Sequence, residues 1–267
     1  MKPFEIIVDH LSYTYPGGVT ALQDVSLRIQ PGESLAIIGQ NGAGKTTLVK
    51  HFNGLLQPAS GRVMVGDRDT RQHSVASLAG VVGFAFQNPD DQLFASTILG
   101  EVIFGPKNLG WPEEKVARQA KAALQAVGLG QAAQKHPYDL PIGQRKAVAL
   151  AAVLAMDTPV LILDEPTTGM DQGGCELVGR IVEDLKQKGV TLITITHDID
   201  FCAEHFDRAL VMARGEVLLD GPTREVLVQD EALAQSYVEP PQLVRLARRL
   251  GMANAPLKAI EFLDAWN

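Results

Sequence analysis

The stretch Gly39-Gln40-Asn41-Gly42-Ala43-Gly44-Lys45-Thr46-Thr47 decides the fold of this chain. Ser34-Leu35-Ala36-Ile37-Ile38 before it reads as a short buried strand, and Leu48-Val49-Lys50-His51-Phe52 after it as the first turns of a helix. Glycines in such a loop let successive backbone N–H groups turn inward around a phosphate chain, and the helix N-terminus adds a positive dipole end. Gly39, Asn41, Gly42, Ala43, Gly44 and Thr47 therefore form the cradle. Lys45 supplies charge to the terminal phosphates, and Thr46 offers a hydroxyl to Mg2+. The motif implies a bound nucleoside triphosphate.

Working outward, three more apolar strands end on polar residues. Val81 to Phe86 ends on Gln87, Val160 to Leu163 runs into Asp164-Glu165, and Val190 to Thr196 ends on His197. In open α/β sheets ligands bind at the carboxyl ends of strands. An acid there is the metal-holding partner of a phosphate loop, so Asp164 is expected to orient Mg2+ and its waters. Glu165 is expected to polarise the water that attacks the γ-phosphate. Gln87 can reach the metal or that water, and His197 the γ-phosphate. Tyr13 and Tyr15 flank the turn Tyr15-Pro16-Gly17-Gly18. One of them can stack on a purine ring, and Tyr15 is favoured.

Strand patterns also occupy Phe4 to Leu11, Ala21 to Gln30 and Gly61 to Val65, with a hairpin over Ala209 to Ala213 and Glu216 to Leu219. From Asn88 to about Met156 the pattern turns helical, which predicts a helical subdomain inserted into an α/β core. Within it, Leu93 and Phe94 read as exposed. Helical character returns after Pro222, and Leu243, Leu246, Ala247 and Leu250 form the predicted packing face of a helix over Gln242 to Gly251. The 267 residues are 46% hydrophobic, enough for a large core. A net charge of −7 and pI near 5.4 argue against a nucleic-acid partner. The longest apolar run, Ala147 to Met156, is too short for a bilayer, which needs ~20 residues. Cys175 and Cys202 share no metal-ligand spacing and read as free or buried thiols.

The order of phosphate loop, Gln87, helical insert, Leu161-Ile162-Leu163-Asp164-Glu165-Pro166-Thr167 and His197 resembles the ATP-binding subunit of an ABC transporter. Phe86-Gln87-Asn88-Pro89-Asp90-Asp91-Gln92-Leu93-Phe94 and Phe104-Gly105-Pro106-Lys107-Asn108-Leu109-Gly110 resemble the energy-coupling-factor (ECF) importers of vitamins and transition-metal ions. The resemblance implies an ABC ATPase domain over 1–225, with a P-loop α/β core, an antiparallel β subdomain and a helical subdomain inserted at about 88–157. It adds a helical C-terminal extension over 226–267. It further implies Mg-ATP as ligand and a head-to-tail dimer with a second ATPase subunit. A transmembrane coupling subunit and a substrate-binding membrane subunit complete the assembly, at the cytoplasmic face of the membrane. By motif, Tyr15 stacks on adenine, Gln87 links the site to the membrane subunit, Asp171 joins the dimer-spanning loop, and His197 is the switch histidine. Gly143 and Gln144 belong to the signature loop that completes a partner's site.

That signature departs from the family pattern Leu-Ser-Gly-Gly-Gln followed by Arg. The chain carries Leu140-Pro141-Ile142-Gly143-Gln144, with Ala147 at the Arg position. Pro141 has neither hydroxyl nor N–H, and Ile142 places a branched side chain where glycine allows close phosphate approach. A heterodimer with one strong and one weak site is therefore favoured.

Overall fold

The structure is a computed structural model, and it describes residues 4–252 and 255–266. Among the described residues ten strands form two sheets. Four make an antiparallel sheet: β1 (Ile6–Thr14), β2 (Thr20–Ile29), β4 (Ser60–Val65) and β5 (Arg68–Asp69), in the order β2-β1-β4-β5. The other sheet contains β3 (Ser34–Ile38), β6 (Val82–Ala85), β7 (Val160–Asp164), β8 (Thr191–Ile195), β9 (Arg208–Ala213) and β10 (Glu216–Pro222). Its order is β10-β9-β3-β8-β7-β6, with every pairing parallel except the β9–β10 hairpin.

β3 and β8 are buried at every position and mostly apolar, as a sheet covered on both faces requires. Alternate side chains separate into two cores. Leu35, Ile37, Ile162, Ile193, Leu210 and Met212 pack toward the antiparallel sheet and α1 (Lys45–Lys50), where Leu48 and Phe52 fill the space. Ala36, Ile38, Leu161, Leu163, Leu192 and Val211 face the opposite way, into a layer that includes α6 (Gln172–Gln187) and α7 (Ile199–His205). Between β5 and β6 lies α2 (Val75–Ala79), capped by the Ser74 side chain.

Three helices, α3 (Ile98–Asn108), α4 (Glu113–Ala126) and α5 (Ile142–Leu154), separate β6 from β7. They bury Ile98 and Val102 against Ala120, Ala123 and Leu124, and α5 contributes Val148, Leu150 and Ala151. Leu93, predicted to be exposed, is instead buried in this cluster, while Phe94 is 63% exposed. The buried Glu101 carboxylate accepts the backbone N–H groups of Phe94 and Ala95, which turns Phe94 outward and Leu93 in.

The chain ends in α8 (Thr223–Val226), α9 (Asp230–Gln235), α10 (Gln242–Arg249) and α11 (Ala259–Trp266). The predicted face of α10 is rotated. Val244 and Ala247 are fully buried, whereas Leu246 and Leu250 are 43% and 46% exposed. Tertiary tethers decide this. Gln242 N–H donates to Asp200 at 2.8 Å, and Arg248 donates to the Val228 carbonyl at 2.8 Å. Both cysteines are free thiols, and burial pushes that of Cys202 up to about 12.

Candidate functional site

The carboxyl ends of β3, β7 and β8 converge on one cleft. The loop after β3 needs its glycines: Gly39, Gly42 and Gly44 all have positive φ. A Cβ on Gly39 would lie 2.1 Å from the Met212 carbonyl oxygen, and one on Gly44 would lie 2.5 Å from that of Ala21. Gly44 is the N-cap of α1 and Lys45 its first residue. The Lys45 ammonium is folded over the loop, donating to the carbonyls of Gly39 at 2.6 Å and Gln40 at 2.9 Å. Burial lowers its pKa, opposed by the nearby Glu165 and Asp164 carboxylates.

Thr46 donates its hydroxyl to Asp164 Oδ2 at 3.2 Å. Asp164 and Glu165 are both buried, and burial raises both carboxyls above their ordinary values. Asp164 Oδ1 and Glu165 Oε1 are buried without a hydrogen-bond partner. His197 Nε2 lies 2.9 Å from Glu165 Oε1, an ion-pair distance without hydrogen-bond alignment. Burial and then Lys45 push the half-exposed His197 imidazole toward neutrality. Among the described residues no group of three or more His, Cys, Asp or Glu could cage a metal. Orphaned Asp164 Oδ1 beside the Thr46 hydroxyl instead fits a hard ion such as Mg2+, which keeps waters and takes phosphate oxygens.

Of the two tyrosines, Tyr15 is the one at the phosphate loop's helix. Its hydroxyl shares a 3.0 Å hydrogen bond with Thr47 Oγ1, and the residue is 36% exposed. Tyr13 stands behind it edge-on at 5.0 Å and packs in turn on buried His51. Gln87 is exposed, two residues beyond β6, the strand beside β7. Among the described residues no hydrogen bond joins it to Thr46, Asp164 or Glu165. Gly143 and Gln144 open α5, where Pro141 is an N-cap that offers no side-chain acceptor. Nor does any hydrogen bond among the described residues join them to the phosphate loop. Asp171 caps α6, its carboxylate accepting the Gly174 N–H at 2.8 Å.

Two residues at the site escaped sequence reasoning. Thr168 donates its hydroxyl to Glu165 Oε2 at 3.1 Å, and Lys146 reaches across from α5 to the same turn. The only available signal was proximity in sequence to Glu165 and to the signature loop.

The pattern of the ABC transporter family, described as ABC transporter, matches residues 22–168. The chain belongs to the ABC transporter family. It carries that family's ATPase cassette. An ABC transporter ATP-binding protein of Methanosarcina acetivorans is 42% identical over 94% of this chain, which spans only 41% of that longer relative. The energy-coupling factor transporter ATP-binding protein EcfA of Methanocaldococcus jannaschii is 39% identical over 93% of this chain and 90% of its own length. In structure the chain is similar to cbiO1 from Clostridium perfringens, part of the ABC transporter complex cbiONQ. That likeness has a TM-score of 0.78 and 34% identity, and covers 94% of this chain and 100% of cbiO1. No described helix is long and apolar enough to cross a membrane.

Proposed function

We propose that this ABC ATPase is the ATP-hydrolysing subunit of an ECF-type importer, powering uptake of a vitamin or transition-metal ion through membrane partners. The observation that carries the chemistry is the convergence of Lys45, Thr46, Asp164, Glu165 and His197 on one cleft. Lys45 exchanges its carbonyl partners for the β- and γ-phosphates of ATP, while Tyr15 stacks on the adenine. Thr46 and Asp164 would hold Mg2+, with Gln87 from the neighbouring strand end. When bound, the ion neutralises charge on the phosphate oxygens. Glu165, its carboxyl raised by burial, accepts a proton from the attacking water. His197 holds the γ-phosphate.

The likeness to EcfA and to a cbiONQ component supports the ECF assignment and a position on the cytoplasmic face of the membrane. Phe94 and Phe104, exposed and edge-on at 4.6 Å, suit a helix docking from the coupling subunit beside Gln87. A head-to-tail dimer would bring Gly143 and Gln144, which among the described residues make no hydrogen bond to their own phosphate loop, to the site of a partner. A heterodimer suits the Pro141-Ile142 departure, since the strong site would borrow another subunit's signature. Residues 1–225 serve as the ATPase domain, with its helical part at about 88–157, and 226–267 as the extension.

The test is purification of the membrane complex through this chain, with identification of every bound subunit and measurement of ATP-dependent solute uptake. Recovery of a related ATPase, a coupling subunit and a small substrate-binding membrane subunit is expected. A complex lacking any substrate-binding membrane subunit would overturn the ECF assignment. Nucleotide binding without hydrolysis in the complete complex would favour a regulatory subunit, the reading that Pro141 and Ile142 motivate.

A further inference from the structure

One cation outside the groups assigned above reaches the turn that carries Glu165. Lys146 lies in α5, directly after the signature loop, and is partly buried. Its ammonium donates to the Glu165 carbonyl at 3.1 Å and the Thr168 carbonyl at 2.6 Å. Those two oxygens are the first and last of the turn Glu165-Pro166-Thr167-Thr168.

The turn needs such a clamp. Glu165 has φ 51°, a left-handed conformation that an L-residue with a long side chain holds only when its surroundings impose it. The turn's own closing bond, from Thr168 N–H to the Glu165 carbonyl, is long at 3.4 Å. Thr168 also donates its hydroxyl to Glu165 Oε2, so displacement of Thr168 moves the carboxylate. From the sheet side Glu165 N–H donates to the Ile195 carbonyl at 2.8 Å, which fixes one end of the residue only. Lys146 closes the other side.

The helix that carries Lys146 is itself held. Arg145 pairs with Asp90 at 2.8 Å, and the Gln92 side chain donates to the Ala149 carbonyl at 2.8 Å. Burial pushes the Lys146 ammonium down, while the Glu165 and Asp164 carboxylates pull it back toward the charged form. A pure packing contact would use the lysine stem and leave the ammonium in water. Here the ammonium bridges two carbonyls of the turn that bears the base.

We infer that Lys146 is a positioning residue for hydrolysis, clamping the left-handed turn so that the Glu165 carboxylate stays aimed at the attacking water. It thereby ties the signature helix α5 to the base. The inference rests on the reading of Glu165 as that base.

The test measures ATP affinity and single-turnover hydrolysis of the full chain for wild type, Lys146→Met, Lys146→Gln, Lys146→Arg, Glu165→Gln and the double variant Lys146→Met/Glu165→Gln. A misplacement of about 1 Å costs ~10²-fold in rate. Lys146→Met is therefore expected to slow hydrolysis by roughly 10–100-fold while ATP affinity stays within about threefold. Lys146→Arg, which keeps charge and donors, should recover most of the rate. In the Glu165→Gln background Lys146→Met should add nothing, because the group it positions is gone. Wild-type hydrolysis in Lys146→Met, with Glu165→Gln inactive, overturns the inference alone. Wild-type hydrolysis in Glu165→Gln overturns the base reading and the inference with it. If Lys146→Met and Lys146→Gln both lose ATP binding in step with hydrolysis, the lysine is structural and the inference falls.

Discussion

Pro141 sits at the N-cap of α5 with φ −58° and ψ 157°, the conformation a capping serine adopts, yet it offers no side-chain acceptor. Replacing Pro141-Ile142 by Ser-Gly should therefore change catalysis without changing stability. A serine there accepts an N–H from the first turn of α5, worth about 1 kcal/mol. Glycine at position 142 loses a side chain that is 42% exposed and adds backbone freedom, costing up to about 1 kcal/mol. The two nearly cancel, so the melting temperature should move by less than about 4 °C. Around the next residue the loop is open, since a Cβ on Gly143 would meet nothing within 4 Å. The new hydroxyl can then donate to a partner's γ-phosphate while its lone pair caps the helix. One hydrogen bond to a charged group is worth ~1.5–3 kcal/mol, and a transition-state donor ~10²-fold or more in rate. The assay is phosphate release against protein concentration, for the chain alone and for the membrane complex with a second ATPase subunit. Self-assembled chain should gain on the order of 10²-fold from the swap. The complex should gain much less, because its strong site uses the other subunit's signature. A wild-type chain that already turns over as fast alone as the swapped one would refute the asymmetry.

Lys45→Ala should weaken ATP binding by roughly tenfold to hundredfold in calorimetry, the loss of charge-assisted bonds to phosphate. Tyr15→Ala should lower ATP affinity by a stacking contribution of ~1–3 kcal/mol and leave tripolyphosphate affinity unchanged. Tyr15→Phe, which loses only the bond to Thr47, should bind ATP nearly as well as wild type; equal losses in both variants would reject stacking. Glu165→Gln should keep ATP binding, lose hydrolysis and melt higher than wild type at neutral pH without nucleotide. Burial raises the Glu165 carboxyl in the folded chain, so the stability it contributes is complete below the ordinary glutamate value and is lost as pH rises through the raised one. The melting advantage should shrink as pH falls toward about 4.3, and a gap that is constant with pH would refute the burial argument.

Much of the fold is written locally. The glycines at 39, 42 and 44, the apolar runs of β3, β7 and β8, and the polar residue ending each run are short-range patterns. They declare a phosphate loop and its acidic partner without reference to any distant residue. The order β10-β9-β3-β8-β7-β6 is not local, and that order brings Asp164 and His197 to Lys45. Periodicity marks which residues of a helix are apolar, yet tethers from Asp200 and Val228 select which of them α10 buries. Leu93 and Phe94 are both large and apolar, and tertiary bonds, among them those of the Glu101 carboxylate to the Phe94 and Ala95 N–H groups, separate the buried one from the exposed one. The contacts of Lys146 with the Glu165 turn are likewise long-range and depend on where α5 is packed, whereas the bond of Thr168 to Glu165 lies within the turn itself. Backbone propensity and hydrophobic spacing act over a few residues, so the sequence alone determined the elements and the phosphate site. Register, facing and reach depend on contacts between residues far apart in the chain, and only the tertiary structure decided them.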